Sequence, residues 1–243
     1  MRKIVFGCVT LLILAALARA GGDPWKSKPF QQWTESDITT IFQSSPWAKS
    51  NVQPMGAWQP MGSQTTSGVG VMNEGGNGGG THIDGGASLE RDAIARAQHY
   101  NVLWWSSRTI RAASLRRAVL HGTMSEADAE NALAQPAGDY EILVTSNNMT
   151  IFEKRGEKAF ERVATLEVKK SRHKIAPSRV EFQLGSGDNV IGAIFHFPKK
   201  DPSGGPYIAP EEKEVEFFLQ VGDAKILTSF DLRKMVDSRG EDL

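Results

Sequence analysis

Alternation between apolar and polar residues is clearest toward the end of the chain. Val215, Phe217, Leu219 and Val221 alternate with Glu214, Glu216, Phe218 and Gln220, the two-residue period that sends successive side chains to opposite faces of a strand. Gly222 and Asp223 follow as a two-residue hairpin loop. The resulting register sets Val221 opposite Ala224, Leu219 opposite Ile226, Phe217 opposite Thr228 and Val215 opposite Phe230, so both strands offer their apolar side in the same direction.

Further strands precede this hairpin. Val190 to Phe197 is apolar at both alternating sets of positions, as a central strand is, and the turn Gly185 to Asp188 joins it to a strand carrying Val180, Phe182 and Leu184 on one face. Residues 163–170 alternate Ala164, Leu166 and Val168 with Thr165, Glu167 and Lys169, and Tyr140 to Thr145 makes a sixth strand. Upstream the period changes. A helical start over Leu89 to Gln98 gives way to a β-prone run from Tyr100 to Trp105, and then to a helix over Ser107 to Leu120. Ser125 with Asp128 opens another short helix that ends near Pro136. The expected fold class is α+β: a largely antiparallel sheet of about six strands with helices on one face, in a domain over residues 89–243. No fixed repeat period appears in the chain.

Ahead of this domain the composition shifts twice. Residues 56–88 hold eleven of the 24 glycines, including the run at 75–80. A stretch with so little apolar surface to bury reads as a flexible linker. Residues 21–55 form an aromatic arm containing Trp25, Trp33 and Trp47. Within it, Thr34 with Asp37 forms a capping pair for a short helix, and Trp33, Ile38, Ile41 and Phe42 share one helical face. Ser45 and Pro46 end that helix. Such an arm either docks as a peptide on a partner or packs on its own domain, with Trp47 to Val52 adding a strand to the sheet edge.

Residues 1–20 read as a secretory signal peptide: Arg2 and Lys3, an apolar stretch from Ile4 to Leu17, then Ala18 and Ala20 ahead of Gly21. The apolar run is about 14 residues, short of the roughly 20 that span a bilayer. The expectation is therefore an exported protein, periplasmic or extracellular, with no transmembrane segment once the signal is removed. Cleavage takes away the one cysteine, Cys8, and three of the 28 basic residues, leaving 25 against 28 acidic and a formal charge of minus three. A cysteine-free mature chain has no disulfide, thiolate nucleophile or cysteine metal ligand of its own. Its slightly acidic balance gives no reason to expect a nucleic-acid partner.

Few chemical motifs stand out. The histidines His82, His99, His121, His173 and His196 fall at no helical metal-pair spacing, and neither a phosphate-cradling loop nor a dinucleotide fingerprint occurs, so no cofactor or metal is expected. His82 with Asp84 is one imperfect glycine-flanked stretch. Ser171 and Lys174 satisfy S-x-x-K, but at the end of a strand, where the helical geometry that motif needs is lacking. Two basic segments remain: the run Lys169 to Lys174, and the set Arg108, Arg111, Arg116 and Arg117 beyond Trp104 and Trp105. Either suits a polyanion by charge, and the second pairs its guanidinium groups with indoles that offer a stacking platform. Trp104, Trp105, Arg108 and Arg111 are accordingly the candidate binding residues. The expected function is a non-catalytic, partner- or ligand-binding domain of the cell envelope, its partner unidentified. The competing expectation is a secreted hydrolase with a carboxylate-based site, which calls for a concave pocket holding two or more acidic side chains of raised pKa.

Overall fold

The computed structural model describes residues 22–53, 98–222 and 224–243. The segment read as a signal peptide, the glycine-rich linker, the His82–Asp84 stretch and the helical start from Leu89 lie outside them. Gln98, expected at the end of that helix, opens a strand.

The chain is α+β and its strand pairs are antiparallel. In order come α1 (Pro24–Ser27), α2 (Glu35–Ser44), β1 (Ala48–Gln53), β2 (Gln98–Trp104), α3 (Arg108–Leu120), α4 (Glu126–Ala134) and β3 (Asp139–Ser146). They are followed by α5 (Thr150–Glu153), α6 (Glu157–Glu161), β4 (Ala164–Val168), β5 (Lys174–Ile175), β6 (Arg179–Leu184) and β7 (Val190–Pro198). Last are β8 (Glu214–Val221), β9 (Ala224–Asp231), β10 (Val236–Asp237) and β11 (Gly240–Glu241).

Rather than one sheet of about six, the strands divide between a five-stranded sheet, β1-β2-β3-β7-β6, and a four-stranded sheet, β5-β4-β8-β9. The division follows from the sequence pattern. β4, β8 and β9 are each apolar on a single face, and a sheet with one apolar face must cover it with another layer. Here the cover is the second sheet. Phe195 and Phe197 of β7 meet Phe217 of β8 edge-on, with centroids 5.3 and 6.2 Å apart, and Trp104 of β2 meets Phe230 of β9 at 5.2 Å. The β8–β9 register is the one the alternation predicts, from Val221 opposite Ala224 to Val215 opposite Phe230. Gly222, with φ of 59°, takes the left-handed conformation that a two-residue hairpin requires.

The arm is built into this body. Its β1 pairs antiparallel with β2, from Ala48 opposite Leu103 to Gln53 opposite Gln98, and so extends the five-stranded sheet by one edge strand. Trp25, Trp33 and Trp47 are all buried. Trp47 meets Trp25 edge-on at 5.6 Å and donates its indole N–H to the Asp242 carbonyl at 2.7 Å. The capping box at Thr34 and Asp37 forms as the sequence implies, and Ile38 and Ile41 carry the buried face of α2. That helix packs on α3 and β1, and α4 also packs on α3. Small buried residues Ala112 and Ala113, beside Ile110, let these neighbours approach α3. Gly122, with φ of 70°, ends α3 in a left-handed turn whose amide reaches the Val119 carbonyl at 3.0 Å. No helix among the described residues is long and apolar enough to cross a membrane.

Candidate ligand cleft at the start of α3

The candidate site forms where the first turn of α3 meets the C-terminal hairpin β10–β11 and the arm. Ser107 caps α3, accepting the Ile110 amide at 3.2 Å. A second cap comes from far along the chain. The buried Asp242 carboxylate accepts the Arg108 amide at 2.6 Å and the Thr109 amide at 2.9 Å. Helix N-termini leave amides unpaired and carry partial positive charge, so a carboxylate there is stabilising twice over. The Arg108 guanidinium turns the other way and donates to the Asp237 carboxylate. Asp237 also accepts the Arg239 amide at 2.7 Å, which shapes the β10–β11 turn.

Two adjoining hollows flank Arg108. One, about 270 Å³, has an aromatic wall of Trp25, Phe30 and Trp33 and a floor of Thr109 and Ala112. The other, about 320 Å³, is polar and brings together Arg111, Lys199, Arg239 and Glu241. Arg108, Leu133 and Arg239 line both. Arg111 spends one N–H on the Ala132 carbonyl at 2.8 Å. Lys199 stands over the Tyr140 ring at 5.2 Å. Burial lowers the Lys199 pKa and the nearby Arg111 lowers it further, while Asp139, Glu141 and Asp242 act in the opposite sense. Burial, assisted by Glu241, pushes the Tyr140 phenol up to about 12.

Seven buried side-chain polar atoms have no hydrogen-bond partner among the described residues, and three of them belong to residues that line these hollows: Trp25 Nε1 and Thr109 Oγ1 at the first, and Ser106 Oγ at the second. Leaving such a group unpaired costs about 1–3 kcal/mol, so each calls for an explanation.

The four candidate binding residues are therefore split. Arg108 and Arg111 line the cleft. Trp104 does not form the expected stacking platform, because its ring is fully buried between the sheets against Tyr140 and Phe230. Trp105 packs half-buried against the core, its amide tied to the Glu141 carbonyl at 2.7 Å. The other two arginines are engaged elsewhere: Arg116 with the Trp33 carbonyl and Glu126, and Arg117 with Glu35 and the face of Phe42. Lys199, Arg239, Asp237 and Asp242 carry no motif. Lys199 is set by the end of β7, and the place of the other three depends on the C-terminal segment folding back some 130 residues onto α3, which local spacing does not reveal.

The lysine run is the β4–β5 connection. Lys169 lies 3.6 and 3.4 Å from Glu167 and Glu216, and Lys174 lies 3.7 Å from Glu167. The buried Glu212 carboxylate accepts the Lys170 and Ser171 amides at 3.2 and 3.1 Å. Ser171 and Lys174 thus span a hairpin tip, and Arg172 occupies the left-handed region at φ 62°.

Among the described carboxylates, three have clearly displaced acidity, and all move downward. For Asp37, burial acts upward but is outweighed by the Thr34 amide and hydroxyl and by Lys28. Asp201 is held down first by the Ser203 hydroxyl, and Asp231 first by Arg233. All three are caps or ion-pair partners in loops and helix starts. Among the described residues, no group of three His, Cys, Asp or Glu side chains is arranged to hold a metal ion. No family model, no curated protein and no solved structure matches this chain.

Proposed function

We propose that the chain is an exported, non-catalytic binding domain of the cell envelope, periplasmic or extracellular, and that it holds a small ligand in the paired cleft beside Arg108. Export rests on the charged, apolar and small-residue order of residues 1–20. The observation that carries the binding reading is the convergence, on two neighbouring hollows, of three cationic side chains that make no ion pair among the described residues and three residues whose buried polar atoms lack a partner there. Concave sites of this size with a few polar groups set in an otherwise fixed wall are where small molecules bind.

The other readings have less behind them. A docking peptide needs a free arm, and the arm's tryptophans are spent on the protein's own core. A hydrolase needs a carboxylate free to exchange a proton. Of the acidic side chains at this cleft, Asp237 is committed to Arg108 and Asp242 to two main-chain amides, which leaves Glu241 alone where a carboxylate-based site calls for a pair.

Leu133 lines both hollows, so Leu133→Trp fills them without removing a charge. The expected result is that small-molecule fractions of the host envelope raise the melting temperature of the wild-type protein and leave Leu133→Trp unmoved. Equal stabilisation of the two proteins contradicts the cleft as the site. N-terminal sequencing of exported protein is expected to start at Gly21, and a start at Met1 counts against processing.

A further inference from the structure

We infer that the ligand of this cleft is a small organic oxyanion, its carboxylate or phosphate group seated among Arg111, Lys199 and Arg239 and its apolar part lying toward Trp25 and Phe30. The inference rests on the cleft being the binding site, and it adds the chemical class.

The charge pattern leads to it. Four cationic side chains line the polar hollow, with Glu241 and Asp242 as its acidic side chains. Arg108 is matched by Asp237, and each Asp242 oxygen accepts one amide of α3. Arg111, Lys199 and Arg239 are left without an ion pair, beside Glu241 and with the charges of Asp139, Glu141 and Asp242 acting on Lys199. Arg239 makes no ion pair among the described residues; its contact with Asp237 is through the main-chain amide. Arg111 keeps guanidinium N–H groups beyond the one given to Ala132.

Arg111 repels the half-buried Lys199, and Asp139, Glu141 and Asp242 offset that repulsion and the burial only in part, since the Lys199 pKa stays lowered. Holding like charges together where water is scarce is unfavourable. An oxyanion between them offsets both costs and meets the planar fork of Arg111 with two acceptors.

The orphaned atoms point the same way. An indole N–H can only donate, and each serine or threonine hydroxyl has a proton to give. Trp25 Nε1, Thr109 Oγ1 and Ser106 Oγ therefore suit acceptors, and because they are closed to solvent as the wall now stands, an oxygen-rich ligand reaches them where the wall opens slightly on binding. The aromatic wall adds apolar surface beside this head-group site, so a ring or short chain attached to the acid gains contact there.

The test is calorimetric titration at low salt with three probes: phenylacetate, inorganic phosphate and phenethylamine. The first two are oxyanions with and without an aromatic part; the third has the same ring on a cation. Phenylacetate is expected to bind tightest, phosphate more weakly, and phenethylamine not measurably. Phosphate binding better than phenylacetate keeps the oxyanion site and removes the aromatic part of the inference. Arg111→Gln and Lys199→Gln are each expected to weaken oxyanion binding at least tenfold, with Arg111→Lys intermediate and Lys170→Gln, on the distant hairpin tip, without effect. Unchanged melting curves for these variants show that affinity, not folding, was altered. Phenethylamine binding that is lost in Leu133→Trp overturns the oxyanion class but leaves the cleft as the site. Oxyanion binding that survives Arg111→Gln, Lys199→Gln and Leu133→Trp overturns both. Absence of binding by either oxyanion overturns the class, and the cleft then stands or falls on the melting comparison with Leu133→Trp.

Discussion

Two basic segments look alike in the sequence, and the fold treats them in opposite ways. The run from Lys169 to Lys174 is the denser in charge, yet its side chains point into solvent from a hairpin tip, and its ion pairs at 3.4 to 3.7 Å are long and exposed. Exposed pairs of this kind contribute little. The arginines of α3 are sparser, but each is met by something fixed: Asp237, the Ala132 carbonyl, the Trp33 carbonyl with Glu126, or Glu35 with Phe42. A charge gains structural meaning from what stands opposite it, and the partners of α3 come from the arm, from α4 and from the C-terminal hairpin.

That contrast orders the mutational effects. Asp242→Ala strips the N-terminus of α3 of a buried carboxylate and orphans two amides, and it is expected to cost about 3 kcal/mol in chemical denaturation. A loss under about 1 kcal/mol indicates that the C-terminal hairpin is not docked on the helix. Arg108→Ala leaves the largely buried Asp237 carboxylate unpaired. Because Arg108 itself is 27% exposed, the expected loss is about 2 kcal/mol rather than that of a fully buried pair.

On the lysine hairpin only the buried part should matter. Glu212→Ala frees the Lys170 and Ser171 amides to water at the hairpin end, at an expected cost of about 1.5 kcal/mol. Arg172→Gly is expected to stabilise by about 1 kcal/mol, since glycine takes φ near 60° without the clash an arginine Cβ incurs. Destabilisation by this variant indicates that the Arg172 side chain has a partner worth more than its strain. Lys170→Ala should move stability by less than about 0.5 kcal/mol, and a larger shift breaks the contrast between the segments.

The strands were the most legible part of the sequence, because a two-residue period states which face is buried. The β8–β9 register can be read from residues 214–230 alone. The caps at Thr34 and Ser125 were equally local, and each accepts the amide three residues on. The division into two sheets was not legible. Alternation says that a face needs cover without saying which element supplies it, and Phe217 looks the same whether it meets a helix or Phe195. The site was half legible for a related reason. Arg108 and Arg111 stand out as charges on an amphipathic helix, whereas Asp237, Arg239 and Asp242 become relevant only once the chain returns across the molecule. Trp104 and Trp105 are adjacent and chemically identical, and it is the pleat of β2, ending between them, that buries one fully and the other in part.

The most direct test of the cleft follows the tryptophan indole N–H resonances in a ¹⁵N-labelled protein as phenylacetate is added. The Trp25 indole, buried and unpartnered at the wall of the cleft, is expected to shift saturably with the calorimetric affinity while Trp104, sealed between the sheets, stays in place. A titration in which the Trp25 signal is unmoved and the amides of residues 169–174 shift instead would contradict the account, and would transfer the binding role to the lysine hairpin.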